Sequence, residues 1–227
     1  MESTRLPVTV ALLHTSPTMV PVFKSLVEEL LPDASVFNMV DESLLRDIIR
    51  EGRCPPSTAR RLVGHVLAAE QAGAGIILVT CSSMGPAVEA ARPLCSAIVL
   101  RVDEPMADNA IAVGRRIVVL ATLPSTLAPT VSLIESRAAR AGKTIELRSR
   151  VIDGAFAAVI SGDGAKHDAL VSAALREESA RSDVLVLAQA SMARVVDALP
   201  AEQRRVPVLS SPRLAVQHLA TLPSSRR

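Results

Sequence analysis

Residues 75–89, GIILVTCSSMGPAVE, constrain what this chain can fold into more than any other stretch. Ile76, Ile77, Leu78 and Val79 follow Gly73-Ala74-Gly75, and Thr80, Cys81, Ser82 and Ser83 come next with no linker. A short aliphatic run bounded in this way predicts a strand buried on both faces. Residues 84–92 then predict a helix. Cys81 is thereby placed where a parallel strand ends and a helix begins, the edge at which open α/β sheets bind ligands. Backbone N–H groups at a helix start attract anions and can lower a thiol pKa. A cysteine is also a small hydrophobe. One Thr and two Ser beside it are poor core material, however, so Cys81 is the leading functional candidate.

The same alternation runs along the whole chain. Strands are predicted at 8–13, 34–39, 76–79, 97–100, 117–120, 144–151, 184–187 and 206–209. Helices are predicted at 17–30, 42–50, 57–71, 84–92, 103–113, from the 121–126 turn to 141, at 155–160 and 166–180, from 191 to Leu199, and at 212–222. Pro17 suits a first helical turn, Ser57 is a candidate cap, and Gly73 and Gly142 are stops. Asp153 and Asp163, each before a glycine, read as turn residues. Strands alternating with helices define an α/β fold with parallel sheets.

The chain also echoes itself. Residues 183–198, DVLVLAQASMARVVDA, align with 75–90, with identities at Ser83/Ser191, Met84/Met192, Val88/Val196 and Ala90/Ala198. Cys81 falls on Gln189. Thr15-Ser16-Pro17 lies over Thr122-Leu123-Pro124 at nearly the same offset. Four strands in each half point to duplication, with one lobe at 1–102 plus 211–227 and the other at 103–210. Two such lobes would face each other across a cleft.

Composition narrows the function. Of 227 residues 49% are hydrophobic but only 1% aromatic, so the core must be aliphatic and base-stacking nucleic-acid modules are disfavoured. A net charge of +2 with interspersed signs leaves no basic block apart from Arg226-Arg227, and no nucleic-acid partner is expected. No run approaches the roughly 18 apolar residues of a membrane span. The N-terminal segment lacks a signal-peptide pattern, so a cytoplasmic location is expected. Three cysteines without a CxxC pair argue against a disulfide framework or a structural zinc. No GxGxxG or GxxxxGK[ST] follows a strand, which ranks a nucleotide-cofactor enzyme low.

Thr80-Cys81-Ser82-Ser83, the 121–126 segment ATLPST and the second strand tip VLAQASM at 186–192, in this order, resemble the aspartate/glutamate racemase superfamily over nearly the whole chain. That group includes hydantoin racemase, maleate isomerase and arylmalonate decarboxylase. The resemblance implies two Rossmann-like or flavodoxin-like lobes, each with a four-stranded parallel sheet flanked by helices, and an active site in the cleft between them. It implies no cofactor, no metal, and a homodimer or higher homo-oligomer. Its racemases use two cysteines, one per lobe, to remove and return a proton. Cys81 matches the first; Gln189 stands in place of the second and has no titratable proton. Carboxylate recognition implied by the resemblance falls on Thr15, Ser16, Ser82, Ser83, Thr122, Ser125, Thr126 and Ser191, with Gln189 orienting the substrate.

His14 ends the first strand and either meets substrate or thiolate or is a strand-end histidine. His65, His167 and His218 read as solvated or capping residues, Cys54 and Cys95 as inert, Arg101 and Arg194 as surface charge. A racemase or isomerase acting on a small carboxylate through Cys81 is the first expectation. A malonate-type decarboxylase with one-sided protonation, or a non-catalytic carboxylate-binding protein, are the alternatives.

Overall fold

The computed structural model describes residues 8–198 and 205–222. The chain divides into two compact units, Met1–Val102 with Pro212–Arg227, and Asp103–Ser211. The readings of Leu199, Arg226-Arg227 and the first seven residues lie outside the described residues.

The first unit contains β1 (Thr9–His14), α1 (Met19–Leu30), β2 (Val36–Val40), α2 (Glu42–Glu51), α3 (Pro56–Gln71), β3 (Ala74–Val79), α4 (Gly85–Ala91), β4 (Ile98–Arg101) and, late in the chain, α10 (Ser211–Thr221). Its sheet is all parallel, in the order β2-β1-β3-β4. The central strands β1 and β3 are buried on both faces, as their unbroken aliphatic runs require. Alternate residues serve opposite faces. Ala11, Leu13, Ile77 and Val79 meet α2, α3 and α4; Val10, Leu12, Ile76 and Leu78 meet Phe23 of α1 and Val216 of α10. Each fully buried aliphatic side chain contributes about 1.5–3 kcal/mol, so the strand that carries Cys81 is anchored on both sides.

The second unit repeats the plan with β5 (Arg116–Ala121), α6 (Pro124–Arg140), β6 (Glu146–Val151), α7 (Ala155–Ile160), α8 (Gly164–Ser179), β7 (Val184–Leu187), α9 (Ala193–Ala198) and β8 (Val208–Ser210), preceded by α5 (Glu104–Val113). Its parallel sheet runs β6-β5-β7-β8. The order is that of the first sheet, strand for strand, as a duplication requires. Val118, Leu120, Leu185 and Leu187 pack on Val171, Leu175 and Val195.

Several local expectations change. The helix expected at 84–92 is three pieces: a 3-10 turn at Ser82–Met84, α4, and a second 3-10 turn at Arg92–Leu94. Pro86 and Pro93 each fix φ and remove an N–H donor, which breaks the run. Ser57 is not the cap of α3. Pro56 takes the first helical position, Pro55 precedes it, and no side chain caps that end. Asp163 does cap α8, accepting from the Lys166 N–H at 3.0 Å. Among the described residues no helix is long and apolar enough to cross a membrane.

Candidate active site

Cys81 lies just past the end of β3 and immediately before the Ser82–Met84 turn, with φ −121° and ψ 113°. Gln189 lies just past β7 and before the matching Ala190–Met192 turn, with φ −115° and ψ 132°. The two strand tips share one backbone conformation and differ in the side chain displayed.

Each tip is tied to the strand beside it by a threonine. In the first unit the Thr15 hydroxyl reaches the Cys81 sulfur, joined by the Ser83 hydroxyl and the N–H groups of Ser83 and Met84. In the second unit Gln189 Oε1 accepts from the Thr122 N–H at 2.5 Å and the Thr122 hydroxyl at 3.0 Å. A backbone N–H only donates, so the amide atom facing it must be the oxygen. That assignment turns the Gln189 NH2, a pure donor, away from Thr122. It also commits the one proton of Thr122 to Gln189.

Burial outweighs what the helix start would do for the thiol. Burial of the sulfur pushes the Cys81 pKa above the usual thiol value, and the donors from Thr15, Ser83 and Met84 recover only part of that cost. The reason is local: a 3-10 turn followed by a seven-residue helix offers a small dipole, while the sulfur sits among dense neighbours. Cys54 is half-buried against the same core, and burial together with the nearby Cys81 raises its pKa as well.

His14 is buried, and both of its ring nitrogens are taken by the protein. Nε2 is 2.9 Å from Asn38 Oδ1 on β2, and Nδ1 is 2.9 Å from the Thr80 hydroxyl on the β3 tip. Burial lowers its pKa, although the Asn38 bond opposes the shift, so the ring is neutral at pH 7. The Thr80 hydroxyl in turn donates to the Leu13 carbonyl at 3.1 Å. His14 therefore laces three strand tips together, which strand position alone did not reveal. Ser82 and Ser83 are buried beside Cys81; Thr15 is buried and Ser16 half-buried, the latter 2.8 Å from the Thr18 hydroxyl. Ser125 and Thr126 are buried in the first turn of α6, and Ser191 is exposed.

Some charged residues are not where surface readings put them. Arg101 is buried at the end of β4 with its guanidinium packed on Gly85, where a Cβ would fall 2.6 Å from Nη2. His167 is buried, its Nδ1 2.7 Å from Asp168 Oδ1, and Arg194 donates to Asp168 Oδ2 at 2.7 Å, so Arg194 is spent inside its own unit. His65 is half-buried and its Nε2 lies 2.8 Å from Asp41 Oδ2. These two residues border a cavity of about 260 Å³ at the tips of β1 and β2, which Thr15 also lines. Sequence reading missed Asn38 and Asp41 here and took His65 for a solvated or capping residue. Asp41 directly after an aliphatic strand, in the place Thr80 holds after β3, was the available signal. Among the described residues no cluster of three His, Cys, Asp or Glu is placed to hold a metal ion.

Two parallel α/β units with matching strand order, with Cys81 and Gln189 at corresponding strand tips, define a duplicated α/β fold. The family model for Asp/Glu/hydantoin racemase matches residues 10–219, and the chain belongs to that family. Solved structures agree on the fold. Aspartate racemase from Picrophilus torridus is similar at 13% identity and TM-score 0.71, covering 96% of each chain. Allantoin racemase from Klebsiella pneumoniae is similar at 17% identity and TM-score 0.69, covering 96% of this chain and 90% of that one. Glutamate racemase from Francisella tularensis, solved with D-glutamate, is similar at 14% identity and TM-score 0.71, covering 95% of this chain and 80% of that one. A comparison with curated protein sequences gives no match.

Proposed function

We propose that this protein is a cofactor-independent enzyme of the racemase and isomerase type, acting on a small carboxylic acid, with Cys81 as its acid/base group. The supporting observation is the setting of Cys81. Its sulfur is desolvated, as a proton-transfer group needs, and three residues aim hydrogen-bond donors at the same point. Those donors stabilise the thiolate in the moment it forms. The hydroxyl of Ser82 beside it suits a carboxylate. In the simplest step the Cys81 thiolate takes the proton from the carbon next to the carboxyl group. The electron pair passes into an enediolate, and the S–H bond so formed can return the proton.

Gln189 and the raised thiol pKa favour a second reading in particular. At neutral pH Cys81 rests as a thiol, ready to give a proton before it takes one. A malonate-type acid that loses CO2 leaves its bonding electron pair on carbon; Cys81 S–H then donates to that carbon from one side only. Gln189, in the place of Cys81 in the second unit, supplies N–H donors and no proton.

Both readings are tested by incubating the protein with small α-substituted acids and malonates in deuterated water, followed by NMR and chiral chromatography. Replacing Cys81 by Ala should lower turnover by about 10²–10⁴-fold. Deuterium uptake with loss of optical purity supports the isomerase. CO2 release with a single deuterated enantiomer supports the decarboxylase. Full activity in Cys81→Ala refutes both.

A further inference from the structure

The geometry points to a substrate-side-chain pocket in the first unit that takes an uncharged, apolar substituent and rejects a second carboxylate. This inference rests on the reading of Cys81 as the acid/base group, because Thr15 joins the two places. Thr15 reaches the Cys81 sulfur and also lines the cavity of about 260 Å³. A carbon held at Cys81 therefore has this cavity beside it. The volume falls just below the usual range for a whole drug-sized ligand, and is suited to one substituent.

Five aliphatic side chains, Leu13, Met39, Val40, Leu44 and Leu62, make most of the wall. Leu13, Leu44 and Leu62 are fully buried members of the core, so this wall is rigid. The polar lining is already engaged: His14 lies against Asn38 and Thr80, Thr15 reaches Cys81, and Asp41 and His65 face each other. Asp41 Oδ1 accepts from the Ser43 N–H at 2.9 Å and from the Ser43 hydroxyl, and Oδ2 faces His65. Partial burial opposes the Asp41 charge, but the bonds from Ser43 and His65 outweigh it and hold its pKa below the usual carboxylate value. The one carboxylate of the wall is thus already paired with Ser43 and His65. The His65 Nε2 that faces the cavity is already engaged by Asp41. Among the described residues no lysine or arginine lines the cavity. Arg61, on the same helix as His65, is 2.9 Å from Ser43 Oγ and 2.7 Å from Asp47 Oδ2, and is spent there. A side-chain carboxylate entering this space would be desolvated against leucine, without a cation and beside Asp41, which is costly. A branched aliphatic or aryl group loses only water there.

The test compares leucine and phenylalanine with aspartate and glutamate, in the wild type and in Val40→Arg. Val40 lines the cavity yet is 44% exposed at the end of an edge strand, so an arginine there can supply the missing cation without burying it. Two readouts are taken on each pair: α-proton exchange in deuterated water and binding by saturation-transfer NMR. The expected result is that the wild type favours the neutral pair by about tenfold or more in both, and that Val40→Arg narrows or reverses this ratio by a similar factor. Wild-type exchange or binding that favours aspartate or glutamate overturns the pocket reading and leaves Cys81 standing. Binding that favours the neutral pair and shifts in Val40→Arg, with no exchange of any acid, supports the pocket and refutes the catalytic reading. Equal binding of all four acids, or no response to Val40→Arg, also overturns the pocket.

Discussion

Replacing Thr15 by Val tests whether the Cys81 thiolate is held by donors from its own strand tips. Val keeps the size and branching of Thr and removes one O–H, the first of the groups that favour the thiolate over the thiol. A hydrogen bond to a charged acceptor contributes about 1.5–3 kcal/mol, and 1.36 kcal/mol is a factor of ten in a protonation equilibrium. The N–H groups of Ser83 and Met84 and the Ser83 hydroxyl remain and relax toward the sulfur, so the lower end applies. The sign is fixed. Losing a donor disfavours the charged form, the Cys81 pKa rises further, and the thiolate fraction at a given pH falls by about tenfold. The assay is the rate of iodoacetamide alkylation from neutral to alkaline pH, read by peptide mapping so that Cys95 serves as an internal control. In the wild type, Cys81 should react more slowly at neutral pH than an exposed thiol, because burial raises its pKa, and should catch up only in alkali. In Thr15→Val the whole Cys81 profile should move to higher pH while the Cys95 profile stays in place. An unchanged Cys81 profile, or one moved toward acid, refutes the claim that Thr15 supports the thiolate.

Two further outcomes are expected. Gly85→Ala pushes a methyl into the buried Arg101 guanidinium, and overpacking of this kind costs about 1–3 kcal/mol, so the urea midpoint should fall with an unchanged slope; an unaltered midpoint would show that Arg101 moves freely. Asp183 is held to a pKa of about 2 by the Arg116 guanidinium and by the N–H groups of Arg116 and Arg115. Its contribution to stability is present above the unfolded carboxylate pKa and is lost as pH falls through the folded value. Carboxyl ¹³C NMR should therefore show Asp183 titrating with a midpoint of about 2, below the usual aspartate value of about 3.9; a midpoint at that usual value would refute the pairing.

Much of the fold could be read from the chain because its central strands are buried on both faces and so cannot hide in a polar pattern. Residues 76–79, 117–120 and 184–187 lie inside observed strands. The edge strands were placed less well. β8 was expected at 206–209 and runs Val208–Ser210, and β6 begins at Glu146 rather than at 144. Edge strands mix exposed and half-buried residues, as ELRSRV in β6 does, and their ends depend on pairing with a neighbour rather than on their own composition.

The candidate site divides along the same physical line. The position of Cys81 and the match of Gln189 to it followed from local order: aliphatic run, polar tip, helix. What the sulfur experiences did not, because its pKa balances burial against donors that include, besides the local Ser83 and Met84, Thr15 from the tip of β1 far earlier in the chain. The Asp41–His65 pair was hidden for a related reason. Its partners are 24 residues apart, on a strand tip and a helix, and only the register that sets His14 against Val40 brings Asp41 to the mouth of a cavity. Sequence order supplied the proposed reacting atom. If the cavity beside it holds the substrate's side chain, that half is selected by residues that meet only after the sheet has formed, and two or three changes around the end of β2 would alter the acid accepted while leaving the Cys81 tip in place.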